Sequence, residues 1–142
     1  MKRSASAVWK GTLKEGQGTV ATPNGVLKNT PYSFVSRFES GSGTNPEELI
    51  AAAHAGCFAM ALSLYLEKAG FKSDTLEATA TVSLENLPEK GFTVTNSHLV
   101  LKGKVPGITN EKFQEVAAQA KAGCPISKLL NATITLDATL VN

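Results

Sequence analysis

The chain has 142 residues, 42% of them hydrophobic and 18% charged, which suits one globular domain over residues 1–142. Fourteen basic and twelve acidic side chains leave a formal charge of +2, too balanced and too scattered for the footprint of a nucleic-acid binder. The opening MKRSASAVWKG lacks the apolar run of a secretory signal, so a cytoplasmic setting is expected. Cys57 and Cys124 are then too few for a disulfide scaffold, and a bond between them is expected to be transient.

From about Ala5 to Phe38 short runs such as TVAT, GVLKN and YSFVSRF alternate between GQG and PNG punctuation. They predict a four-stranded β-meander. The loop ESGSGTN leads to Asn45-Pro46-Glu47-Glu48, a helix start: Asn45 as N-cap, Pro46 at the first helical position, Glu48 for a capping box, and two acids at the positive dipole end. The helix should reach about Ala69 and be capped by Gly70. Leu49 to Leu66 is almost continuously apolar, which predicts burial on every side, against the chain's own sheet on one and with a second copy of the chain able to cover another. The stretch approaches membrane-spanning length, but Ala, Gly, Ser and His dilute it and no membrane partner is expected.

Two further strands are predicted over about Thr75–Leu87 and Gly91–Val105, joined by a turn at Pro88–Gly91. A helix should follow, with Thr109 as N-cap, Ile108 and Phe113 as a hydrophobic staple and Gly123 as C-cap. Pro125 should open a short helix, ISKLL, before a last strand, ATITLDATLV. This segregated order argues for an α+β fold rather than a parallel βαβ fold.

The residues able to carry chemistry are few. Cys57 lies mid-helix among Ala, Gly, Phe and Met, and residue type alone favours a buried cysteine acting as a small hydrophobe over a reactive thiol. Cys124, between Gly123 and Pro125, stands at the start of a short helix, where unpaired N–H groups favour a thiolate. Two such cysteines within reach would suit a redox enzyme with an attacking and a resolving thiol. A competing use is zinc held by His54, Cys57, His98 and Cys124, although His98 and Cys124 lack the close spacing of ligand pairs. As ordinary residues, His54 is a satisfied core histidine and His98 a solvent-facing strand residue. Arg37, within YSFVSRF, is either a solvated strand arginine paired with a glutamate or a fixed cation beside Cys57. Glu48 is explained by capping, whereas Glu47 has only the helix dipole to account for it.

With these residues assembled, the chain resembles the OsmC/Ohr family of thiol-dependent hydroperoxide reductases over essentially its full length. The likeness rests on Trp9 followed by GQGTV, then PYSFVSRFE, GTNPEELIAAAHAGCFAMALSLYLEKAGF and AGCPISKLL, in family order and spacing. It implies antiparallel sheets packed around a long central apolar helix in an intertwined homodimer. It also implies Cys57 as the peroxidatic thiol, Cys124 as the resolving thiol, Arg37 as the activating guanidinium and Glu47 as the carboxylate that positions it. An arginine in the strand before the helix is the pattern of the OsmC branch, the Ohr branch taking its arginine from an earlier loop. The implied substrate is an organic hydroperoxide, reduced to an alcohol while Cys57 becomes a sulfenic acid that condenses with Cys124. A dithiol reductant of lipoyl type would reset the pair, with no metal, flavin or nucleotide cofactor.

Helix geometry extends this expectation to a shared site. Glu47 and Cys57, ten positions apart on one helix, are separated by roughly 15 Å along its axis, so the arginine and glutamate are expected to serve the partner chain's Cys57. The alternative is a stress-induced binding or structural protein whose apolar cavity holds a ligand and whose thiols are incidental.

Overall fold

The computed structural model describes residues 1–142. The chain divides into two compact units, Met1–Leu49 and Ile50–Asn142.

In the first unit β1 (Ser6–Lys10), β2 (Gln17–Ala21) and β3 (Thr30–Tyr32) form an antiparallel sheet in the order β1-β2-β3. Trp9 pairs with Gly18, which pairs in turn with Tyr32. The two rings meet over this glycine with centroids 5.3 Å apart. The meander has three strands rather than four. Residues 22–29, with GVLKN among them, form turns closed by Thr22 N–H on the Leu27 carbonyl at 2.9 Å and Leu27 N–H on Thr22 Oγ1 at 3.0 Å.

The segment YSFVSRF leaves the sheet after Tyr32 and becomes a short helix, α1 (Phe34–Phe38). Ser33 and Ser36 cap each other: Ser36 N–H donates to Ser33 Oγ at 3.1 Å and Ser33 N–H to Ser36 Oγ at 2.8 Å. This reciprocal cap satisfies two backbone donors that a strand would have had to pair. Arg37 is therefore a helical residue, not a strand residue.

The long helix α2 runs from Pro46 to Lys68, its first turn in the first unit and the remainder in the second. Both ends follow from local signals. Asn45 Oδ1 accepts from Glu48 N–H at 2.8 Å. At the other end Gly70 (φ +87°) donates to the Glu67 carbonyl at 3.0 Å, and Phe71 N–H to the Leu66 carbonyl at 2.9 Å, the paired bonds of a Schellman cap.

In the second unit β4 (Thr75–Leu87) and β5 (Gly91–Lys104) form a long antiparallel hairpin, followed by α3 (Asn110–Gly123), α4 (Pro125–Leu129) and β6 (Thr133–Leu140). The sheet order is β4-β5-β6, and β6 runs parallel to β5. The expectation of purely antiparallel sheets misses this pair. Two helices intervene between β5 and β6, enough chain for the crossover that parallel pairing needs.

Residues of α2 at a spacing of four, His54, Phe58, Leu62 and Leu66, are buried in this unit. The three apolar ones join Leu99 and Leu101 of β5, Val105, Ile108, and Phe113, Val116, Ala117 and Ala120 of α3 in one core. Each fully buried leucine or phenylalanine contributes about 1.5–3 kcal/mol relative to exposure. Ile108 and Phe113 enter this core from either side of the α3 cap, where Thr109 Oγ1 accepts from Lys112 N–H at 3.2 Å. The chain by itself buries one side of α2. Ala53, Gly56, Met60 and Leu64 are exposed, Met60 to 77%, so an apolar stripe lies opposite the buried one. The helix is long and apolar enough to cross a membrane, yet its buried stripe seats it in the core.

Candidate active site

The four residues singled out from sequence meet as two pairs, one in each unit. Arg37 and Glu47 form the first. Arg37 Nη2 donates to Glu47 Oε1 at 2.8 Å, and Nε lies 3.3 Å from both carboxylate oxygens. Such a forked contact fixes the guanidinium plane as well as its position. The backbone explains why the pair forms. Ser36 Oγ donates to the Thr44 carbonyl at 2.8 Å, and Asn45 Nδ2 donates to the Ser36 carbonyl at 3.3 Å. The loop thus folds back on α1 and delivers the first turn of α2 beside Arg37. Phe38 lies under the guanidinium, with its centroid 5.2 Å from Cζ. Trp9, Leu13, Tyr32, Phe34 and Phe38 line a small pocket together with Arg37.

Cys57 of α2 and Cys124 form the second pair. Both are free thiols, and Cys124 Sγ donates to Cys57 Sγ at 2.9 Å. Closing a disulfide, with S–S about 2.05 Å, requires the sulfurs to approach by roughly 0.9 Å, a side-chain adjustment rather than a rearrangement of the fold. Cys124 is fully buried at the corner where α3 ends and α4 begins. Gly123 is the last residue of α3 and not its cap. Its missing side chain is needed because Tyr65 lies against its α-carbon, and a methyl there would meet the ring at 2.9 and 3.1 Å.

Burial pushes the Cys57 thiol above its ordinary 9.0, and the neighbouring Cys124 raises it further, while the Ile126 backbone N–H at the start of α4 pulls in the opposite direction. Burial and Cys124 both oppose a thiolate at Cys57, which a nearby cation would favour.

The histidines do not join the thiols in a Cys2His2 set. His54 is buried, with Nδ1 2.6 Å from Ser97 Oγ and Nε2 2.7 Å from Ser127 Oγ. It is thus a satisfied core histidine. A neutral imidazole has one donor and one acceptor, so it donates to one serine and accepts from the other. His98 is less open to solvent than expected. Its Nδ1 lies 2.6 Å from Thr135 Oγ1 and its Nε2 3.1 Å from Asp137 Oδ2, both on β6. No group of three or more His, Cys, Asp or Glu side chains converges anywhere in the chain.

Sequence reasoning missed Ser97 and Ser127. The available signal was His54 itself: an imidazole on a buried helix face must find partners for both nitrogens.

Burial holds His54 below its ordinary 6.5. The folded state then stays neutral where the unfolded chain takes up a proton, so stability should fall as pH drops through 6.5 and level off below the depressed folded value. Urea midpoints between pH 7.5 and 5.5 should decline more steeply for the parent than for His54→Gln. Equal slopes would remove His54 as the cause.

The family model for OsmC-like proteins matches residues 39–139. The chain belongs to the OsmC family. It is 50% identical over 135 residues to peroxiredoxin OsmC of Escherichia coli K12, covering 95% of this chain and 94% of that protein. It is also 30% identical over 132 residues to the organic hydroperoxide resistance protein OhrB of Bacillus subtilis, covering 92% and 95%. The crystal structure of OhrB from that organism superposes with a TM-score of 0.71 at 27% identity, over 96% of this chain and 98% of that one. An OsmC-like protein of Mycoplasma pneumoniae, at 18% identity and full coverage of this chain, shares the fold with a TM-score of 0.76 over 99% of its own length.

Proposed function

We propose that this protein is a thiol-dependent peroxidase that reduces organic hydroperoxides to alcohols through Cys57 and Cys124. Family membership supports the peroxidase role. The observation that carries the chemistry is the contact of two free thiols at 2.9 Å. The Cys57 thiolate attacks the terminal oxygen of the hydroperoxide: an S–O bond forms, the O–O bond breaks, sulfur is oxidised by two electrons and the alkoxide leaves as an alcohol after taking a proton. Cys124 then attacks the Cys57 sulfenic acid, forming the disulfide and releasing water. A dithiol of lipoyl type returns both thiols by exchange and leaves as its own cyclic disulfide.

Arg37 is the cation for this thiolate, with Glu47 as its positioning residue. The spacing of Glu47 and Cys57 along one helix favours a homodimer in which each chain's Arg37–Glu47 pair serves the other's Cys57. The exposed stripe of Ala53, Gly56, Met60 and Leu64 supplies an apolar face for such a partner. The cytoplasm, where reductants keep thiols free, is the setting this cycle requires, and defence against oxidative stress is the role it serves.

Stoichiometric oxidation tests the cycle. One equivalent of tert-butyl hydroperoxide added to the reduced protein should give an intramolecular Cys57–Cys124 disulfide, read as the loss of two hydrogens and a cross-linked peptide. Sulfenic or sulfinic acid persisting at Cys57, with Cys124 still alkylatable, would refute the resolving role.

A further inference from the structure

The corner carrying Cys124 is tied to α2 at more points than the thiols. His54, Cys57 and Tyr65 of α2, three and eight positions apart, lie along one side of that helix. His54 meets Ser127 of α4 at 2.7 Å, Cys57 meets Cys124 at 2.9 Å and the backbone N–H of Ile126, and Tyr65 lies against Gly123. Cys124 is thus bracketed on both sides in sequence by residues that α2 holds.

The two outer ties differ in kind. Tyr65 blocks motion of the corner in one direction by contact alone. The His54–Ser127 bond is directional, and His54 is itself immobilised by Ser97 of β5 at 2.6 Å. α4 has only five residues and none of its side chains is fully buried, so its own packing fixes it weakly. A link to the sheet through a buried imidazole supplies what that packing lacks.

We propose that His54 is a positioning residue for disulfide formation: by holding Ser127 it pins α4 to α2 and keeps Cys124 in contact with Cys57. The inference rests on the peroxidase reading for its physiological meaning, but the positioning itself is a property of the two thiols. Loss of the tie lets α4 drift, and a displacement near 1 Å in a reacting pair costs up to about a hundredfold in rate. Cys57 sulfenic acid would then survive long enough to meet other reagents.

The test uses the full-length protein and the Ser127→Ala and Ser127→Thr variants. Each is treated with one equivalent of tert-butyl hydroperoxide in a fixed concentration of dimedone, and the ratio of disulfide to dimedone adduct is read by intact mass. The parent should give mainly disulfide. Ser127→Ala should lower the ratio by about tenfold or more, and Ser127→Thr, which keeps the hydroxyl, should restore most of it. A general loss of stability would lower the melting temperature without moving this ratio well below the melt.

A second arm drops the peroxide and equilibrates the thiol pair against dithiothreitol after diamide oxidation. The disulfide should be about tenfold less favoured in Ser127→Ala. If the parent forms neither disulfide nor adduct with peroxide, the peroxidase reading fails while this equilibrium still decides the positioning. Ser127→Ala values equal to the parent's in the equilibrium arm, or a threonine variant no better than alanine, would overturn the inference.

Discussion

Cys57→Ser is expected to abolish catalytic turnover of an alkyl hydroperoxide with a dithiol, by at least about a thousandfold. Serine has nearly the shape of cysteine, so the core around α2 and the contact with Cys124 are preserved while the nucleophile is lost. A hydroxyl cannot form an appreciable anion at neutral pH and has no sulfenic acid stage to pass through. Cys124→Ser should behave differently. Without added thiol it should retain one round of peroxide consumption and then stall with an oxidised Cys57, because the Cys57 thiolate can still attack the peroxide but no Cys124 thiol is left to condense with the sulfenic acid. Steady-state loss of tert-butyl hydroperoxide and a single-turnover trace separate the two outcomes. Cys57→Ser turning over as fast as the parent would refute the redox cycle and leave a binding or structural role for the fold.

Mixing Arg37→Ala with Cys57→Ser subunits should restore activity that neither variant has alone. In a homodimer with shared sites, each mixed dimer carries one complete site, a native Cys57 facing a native Arg37, and one site lacking both. Statistical exchange of equal amounts makes half the dimers mixed, so turnover should return to about a quarter of the parent's. Arg37→Ala alone should also shift the pH dependence of Cys57 alkylation upwards, because burial and Cys124 then act without an opposing cation. Exchange proven by mass labelling with no recovery of turnover would confine the site to a single chain.

What could be read from the amino-acid order divides by the range of the interaction concerned. The ends of α2 were legible because Asn45, Pro46 and Gly70 act within a turn of where they stand. The same applies to Thr109 at α3 and Pro125 at α4. YSFVSRF misled because its alternating aromatic and small residues match a strand. The deciding contact is a serine pair three apart, a cap that lacks the usual glutamate or glutamine. The direction of β6 and the partners of His54 were not legible. Both are set by chain that returns from far away, Ser97 lying 43 and Ser127 73 positions from the histidine.

The roles of the site residues came from likeness to a family rather than from pattern alone. Cys57 and Cys124 are 67 positions apart, and no periodicity links them. Physical reasoning from the short helix favoured Cys124 as the more acidic thiol. The structure turns part of that reasoning around, because the first free N–H of α4, that of Ile126, acts on Cys57 instead. Sequence locates the donors of a helix start well; it does not say whose sulfur they will face.

Asn45 has a consequence for reading variation at the site. Its carboxamide oxygen starts α2 through Glu48 N–H, and its amide nitrogen holds the Ser36 carbonyl one residue before Arg37. Aspartate would be an equally good helix cap and would pass as a conservative change by that criterion. It has acceptors only, so the strut to Ser36 would be cut and an oxygen would face an oxygen across the gap. A drifted homologue with aspartate here would keep its long helix intact while its arginine lost a fixed bearing, a loss of aim that no measure of fold or helix content would register.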